Sequence, residues 1–328
     1  MVAVLVVFAS FSPRPRAAGL DLQVSPVPLN PEDPGQSSAG PLRFRGGLWL
    51  RSPDLRFGGL SDIVVSADGS RLLAVSDCGR GFVAHLDYDA AGNLASLDEG
   101  RLVELAGPGG RALEADEVDA EALAFDTRGS GLLVGFEGRP RVWRYPPTLA
   151  GSPEVLGKPD LGECRGNRGL ESVVGLDDGR LLLLCEGRGV HPSSSPGWVG
   201  AGTAWTARAY PLDSGGVGFG DVYRPTSAAV LPGGDVLVLE RRYPPLGARI
   251  RRLSKANVEG TGAFEPLEVA VLEPPLTLDN LEGIATRRGA RGETLIYVLS
   301  DDNGCAKGSA MVTRLQRTLL LLFALDSA

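Results

Sequence analysis

Apolar residues in this chain come in short alternating runs separated by glycine- and proline-rich turns, a pattern that fits many short strands better than long helices. Five segments share one layout: an alternating apolar run, a Gly/Asp turn and a second apolar run that ends in an acid. They are Leu60 to Asp77 (LSDIVVSADGSRLLAVSD), Asp119 to Gly138 (DAEALAFDTRGSGLLVGFEG), Gly169 to Gly187 (GLESVVGLDDGRLLLLCEG), Pro225 to Arg241 (PTSAAVLPGGDVLVLER) and Asn280 to Asn303 (NLEGIATRRGARGETLIYVLSDDN). Counted from Asp62 through Glu121, Glu171, Ser227 and Glu282, the steps are 59, 50, 56 and 55 residues. A repeat of this length that opens on a hairpin is the mark of propeller blades.

The stretches between hairpins hold two further strands per unit, such as Gly81 to Asp87 and Arg101 to Leu105 in the first unit and Arg141 to Tyr145 in the second. The expected fold is therefore all-β: one propeller of four-stranded blades, with five visible repeats and room for a sixth. Leu42 to Leu50 and Arg317 to Leu325 are the strands left at the two ends. Joining them in one blade closes the ring and removes both exposed edges.

Hairpin symmetry gives these repeats a chemical meaning, since residues equidistant from a two-residue turn face each other. On that rule Glu171 faces Glu186, Asp62 faces Asp77, Ser227 faces Glu240 and Glu282 faces Asp301, while Glu121 and Glu137 need an odd-length turn. With the first strand of each blade innermost, up to nine carboxylates meet at one mouth of the channel. Like charges at such spacing repel by roughly 1 to 4 kcal/mol per pair, so the ring calls for protonation, arginine partners or cations. Oxygen-only donors, with Asn280 and Asn303 beside the acids, point to calcium, and less to magnesium, over zinc.

The 328 residues carry 33 basic and 40 acidic side chains, a net charge of -7, with no basic run, which argues against a nucleic-acid or anionic-membrane binder. The histidines, His85 and His191, are too few for a histidine metal centre; His85 falls in a third strand and His191 in a glycine/serine-rich loop from Gly187 to Gly202. Cys78, Cys164, Cys185 and Cys305 form no CxxC pair and could make two disulfides in an oxidising compartment or stay as buried thiols. No GxSxG elbow, GxGxxG or Walker pattern occurs. Residues 1–19 hold a short apolar run that reads as an export leader, without the usual preceding basic residues, and 20–328 as the propeller domain. The run Leu319 to Leu325 is a buried strand, and no stretch is long enough for a membrane-spanning helix.

The stretches FGGLSD (57–62), AVSD (74–77), RGNRGLE (165–171), LVLER (237–241), DNLEGI (279–284) and SDDN (300–303) resemble the phytase-like family of bacterial propellers known for "esterase-like activity of phytase". The resemblance spans residues 57–303 and implies a propeller and calcium-assisted phosphoester or ester hydrolysis in an exported, periplasmic or secreted protein. Segment 304–315 (GCAKGSAMVTRL) departs from it as an insertion beside Asp301.

The candidate set follows. Glu121, Glu171 and Glu282, recurring in register, are expected to serve as catalytic carboxylates. Asp62, Asp77, Glu137, Glu186, Glu240, Asp279, Asn280, Asp301, Asp302 and Asn303 are expected to ligate metal, and Arg165, Arg168 and Arg241 to hold substrate or else to pair with the acidic ring. The expected activity is divalent-metal-dependent hydrolysis of a small phosphorylated or ester substrate by a monomer. A non-catalytic binding propeller with structural metal and a lactonase-like metal hydrolase are the alternatives.

Overall fold

The computed structural model describes residues 19–164, 169–187, 193–213, 222–304 and 316–326. Five antiparallel sheets form five blades, the first four of them running outward in chain order from their first strands. The first strands are Leu60–Val65, Ala120–Phe125, Leu170–Gly175, Arg224–Val230 and Asn280–Arg288. Each touches its two neighbours, the last meeting the first, so together they wall a central channel. Second strands follow at Arg71–Ser76, Leu132–Phe136, Leu181–Cys185, Val236–Arg242 and Thr294–Asp301.

In the fifth blade the third strand is Thr318–Leu325 and the fourth is Leu42–Arg51 from the other end of the chain, with Gln23–Pro26 added outside. Leu50 pairs with Thr318 and Leu42 with Leu325. The two ends thus complete blade five, and there are five blades. Part of the segment expected to be a glycine/serine-rich loop is instead a strand, Ser194–Ala201, the third of blade three, held by buried Trp198 and Val199. Residues 188–192, with His191, lie outside the described residues. His85 sits mid-strand on blade one, half-exposed and 3.6 Å from Asp87.

Five apolar clusters fill the five gaps between blades. The run Leu181–Cys185 shows why these strands are apolar at every position: Leu181 and Leu183 pack toward blade two, Leu182 and Leu184 toward blade four. A strand covered on both faces has no polar side to write into the sequence. Trimming one of these leucines to alanine would cost about 2–5 kcal/mol. No helix among the described residues is long and apolar enough to cross a membrane.

Candidate functional site

The first strand of every blade carries one extra residue at the same place. Pairing jumps between Leu60 and Asp62, Ala120 and Ala122, Leu170 and Ser172, Pro225 and Ser227, and Leu281 and Gly283. The bulged residues are therefore Ser61, Glu121, Glu171, Thr226 and Glu282. A bulge bends the strand and re-aims the side chain it carries. Here it turns three glutamates into one cavity.

Beyond the bulge every pairing is displaced by one from the register nearer the turn. Asp301 therefore faces Asn280 and not Glu282, Glu240 faces Pro225 and not Ser227, Asp62 faces Val75 and not Asp77, and Arg241 faces Arg224. Glu186 and Glu137 likewise donate their backbone N–H to the carbonyls of Gly169 and Asp119, so Glu171 does not face Glu186. At equivalent second-strand positions the five blades present Asp77, Glu137, Glu186, Arg241 and Asp301. Blade four supplies an arginine where the others supply acids.

These residues line a cavity of about 380 Å³ at the channel mouth, together with Asp119, Glu121, Glu171, Asn280, Glu282, Asn303, Tyr243 and Gln316. Eight carboxylates and one cation, Arg241, thus meet there among the described residues. Arg241 lies 3.2 Å from Glu282 and 3.6 Å from Glu186 and donates to Asn280 Oδ1. Burial works against its charge, but Glu282, Glu186, Glu171 and Asp301 outweigh burial and raise its pKa. Asn280 Nδ2 donates to Glu282 Oε1 at 2.7 Å, and the Asn303 N–H to Asp301 Oδ1 at 2.8 Å.

One arginine cannot balance this ring. Burial first, and then repulsion from neighbouring acids, pushes Asp77 to about 8 and Glu137 to about 7. The same causes raise Glu121, Glu171 and Asp301 well above the usual carboxylate range. Glu282 is also raised by burial, though Arg241 pulls against it. Oxygens of Asp119, Glu121 and Glu137 lie within 4.8 Å of one another, a spacing that suits one hard cation. Asp77 Oδ1 is buried with no hydrogen-bond partner among the described residues. An orphaned carboxyl oxygen beside an uncompensated acidic cluster fits a cation better than it fits a closed protein site.

Four expected ligands lie elsewhere. Asp62 is buried inside the channel, where its carboxylate accepts from the N–H groups of Ile63 and Leu123 and from Ser227 Oγ, and burial holds it near 8. Glu240 points away from the mouth into a buried cluster, accepting from Tyr210 Oη at 2.7 Å, Arg249 Nε at 2.6 Å and Arg251 Nη1 at 3.1 Å. Glu240 stands one residue before the mouth position, equivalent to Ser76, Phe136, Cys185 and Ser300 of the other blades, so alternation along the strand sends it away from the face that Arg241 takes. Asp279 is engaged by Arg317, and Asp302 Oδ1 accepts from the N–H groups of Gly59 and Gly304 at 2.8 and 2.9 Å. Asp302 still acts on the mouth through charge, raising Asp77 and Asp301. Gly58 has φ +132°, and a Cβ there would stand 2.8 Å from Asp302 Oδ1, so this approach requires glycine.

Arg165 and Arg168, and most of the segment 304–315, lie outside the described residues. Asp119, Tyr243 and Gln316 join the site without having been singled out by the sequence pattern. Asp119 was legible as the residue that begins the second hairpin opposite Glu137. Cys164 and Cys185 form a disulfide that ties the segment entering blade three to the end of its second strand, next to Glu186. Cys78, adjacent to Asp77, is disulfide-bonded as well.

The phytase-like family model, described as "Esterase-like activity of phytase", matches residues 55–304. No curated protein sequence matches the chain. Among solved structures, the chain is similar to hydrazine synthase from Kuenenia stuttgartiensis at 13% identity and TM-score 0.38, covering 74% of this chain and 55% of that one. It spans about half the length of that synthase chain. It is also similar to the PQQ-bound aldose sugar dehydrogenase from Streptomyces coelicolor at 16% identity and TM-score 0.39, covering 93% and 100%.

Proposed function

Since this chain belongs to the phytase-like family, we propose that it is a calcium-dependent hydrolase of phosphoesters working at the acidic mouth of a five-bladed propeller. The observation that carries this reading is the imbalance of eight carboxylates against one arginine in a single cavity. Asp119, Glu121 and Glu137 would hold the cation, with Asp77 beside them. When bound, a hard divalent cation supplies charge for the phosphate and lowers the pKa of a water.

The protein's own side chains divide the remaining work. Glu282 is engaged by Asn280 and Arg241, which fixes one wall of the mouth and places the guanidinium where a phosphate oxygen can share it. Glu171 makes no hydrogen bond to any described residue and is raised well above the usual range by burial and by Glu137, Glu186 and Glu282. From its place in the cavity lining, Glu171 accepts a proton from the attacking water and returns it to the departing alcohol. Tyr243, half-exposed at the rim, is the one aromatic ring of the mouth among the described residues, so this lining suits a charged ester better than a neutral lactone. The disulfide at the mouth supports an exported location, where thiols oxidise.

A thermal melt of the metal-stripped protein with added calcium, magnesium serving as control, tests the reading. Calcium at a hundredfold excess over its Kd should add about 2.7 kcal/mol. Phosphoester turnover should rise over the same calcium range. No calcium-specific stabilisation at millimolar concentration would leave a metal-independent binding propeller as the better account.

A further inference from the structure

Asp77 and Asp119, which line the acidic mouth, also line a second and larger cavity of about 890 Å³ between blades one and two. Its outer wall is the connection from Leu105 to Asp119. That wall is fastened: the Glu117 carboxylate receives Arg111 at 2.6 and 2.8 Å and the Glu114 N–H at 3.0 Å, and Arg141 donates to the Glu117 carbonyl. The groove is therefore preformed.

Its chemistry differs from that of the mouth. Leu105, Leu113 and Val118 give it an apolar floor, and Leu113 and Val118 press on Gly79, where a Cβ would meet them at 3.2 and 3.0 Å. The two arginines on its rim are already matched to carboxylates, Arg80 to Glu104 at 2.9 Å and Arg111 to Glu117. With Asp77, Asp116 and Asp119 also present, the groove has no spare positive charge for a second phosphate. It has apolar surface, continuous with the place where the reacting phosphate would sit.

Building on the hydrolase reading, we propose that this groove takes the apolar alcohol arm of a phosphomonoester, so that the preferred substrate is a phosphate ester of a hydrophobic alcohol and not a polyphosphorylated sugar. In the reaction a water oxygen bonds to phosphorus, the ester P–O bond breaks with its electron pair going to the alcohol oxygen, and a water proton ends on that oxygen. Contacts made by the arm remote from phosphorus then orient the ester for attack.

The experiment uses the calcium-loaded full chain and n-alkyl phosphates from methyl to hexyl, whose leaving groups differ little in pKa. kcat/KM should climb with chain length by about tenfold or more over the series. Independently of turnover, 1-naphthol should bind, followed by its fluorescence. Ala112→Trp, which fills the groove from an exposed position, should weaken that binding at least tenfold and flatten the chain-length series. Leu113→Asn, which makes the floor polar, should act in the same direction if the tryptophan variant does not fold. A flat series with no naphthol binding overturns the groove assignment while leaving the hydrolase reading intact. Naphthol binding abolished by Ala112→Trp, with no alkyl phosphate cleaved, keeps the groove and rejects the hydrolase.

Discussion

Ser227 Oγ donates a hydrogen bond to Asp62 Oδ1 at 2.7 Å, joining blade four to blade one across the channel. The bridge continues on both sides. Leu123 N–H donates to the other oxygen of Asp62 at 2.7 Å, and Ile284 N–H donates to Ser227 Oγ at 3.2 Å. Two residues from opposite sides of the ring thus gather donors from two further blades. Asp62 acts as a strut beneath the carboxylate ring.

Asp62→Ala should consequently destabilise the fold by about 1–3 kcal/mol, the cost of leaving buried donors unmatched. Its calcium-induced rise in Tm should remain close to that of the unaltered protein. Paired melts with and without calcium check this; loss of the calcium response would return Asp62 to the ligand set.

Glu171→Gln should move stability the other way in the metal-free protein. Removing one buried acid from a crowded ring relieves repulsion from Glu137, Glu186 and Glu282, so the metal-free variant should melt at a higher temperature than the unaltered protein. Turnover should fall about a hundredfold or more as the proton acceptor is lost. A destabilised Glu171→Gln would show that the ring is better compensated than its geometry indicates.

Arg241→Gln provides the opposite sign at the same mouth. It strips Glu186 and Glu282 of their cation, and breaking a buried pair by removing one partner costs about 3–5 kcal/mol. Calcium should recover part of the loss, so the calcium increment in this variant should exceed that of the unaltered protein. Urea unfolding at two calcium concentrations measures both quantities.

The pH dependence follows from the raised carboxyls. Asp77 at about 8 and Glu137 at about 7 lie above their unfolded values, so the metal-free folded state holds protons that the unfolded chain has released. This advantage is complete below the ordinary carboxylate range and is lost as pH rises through 7 and 8. Tm of the metal-free protein should fall from pH 5 to pH 8, while the calcium-induced increment grows. Calcium binding should release protons, read by calorimetry in buffers of different ionisation heat.

The blade repeat, the hairpins and the closure by both ends were legible because each rests on alternation and turn residues that recur every 50 to 60 positions. What escaped was one residue per blade. Pairing by distance from the turn assumes equal strands, and a bulge violates that without leaving a compositional mark. Aligning the repeats on their acids puts Asp62 and Glu240 into the ring. Aligning them on the buried residue before the bulge, Leu60, Ala120, Leu170, Pro225 and Leu281, puts Ser61, Glu121, Glu171, Thr226 and Glu282 in one column and Arg241 beside the acids. The apolar residue is the better ruler because burial fixes its register, whereas an acid near a strand end can face either way.

The pairing of Leu42–Arg51 with Thr318–Leu325 sets an order of events for synthesis. Blade five has no complete sheet until Thr318–Leu325 has left the ribosome, so Leu42–Arg51, with only the short Gln23–Pro26 and Ser38–Ala39 to pair with, must wait for it. Any truncation that removes Thr318–Leu325 would leave four blades that cannot shut, with a long apolar edge free to find another chain.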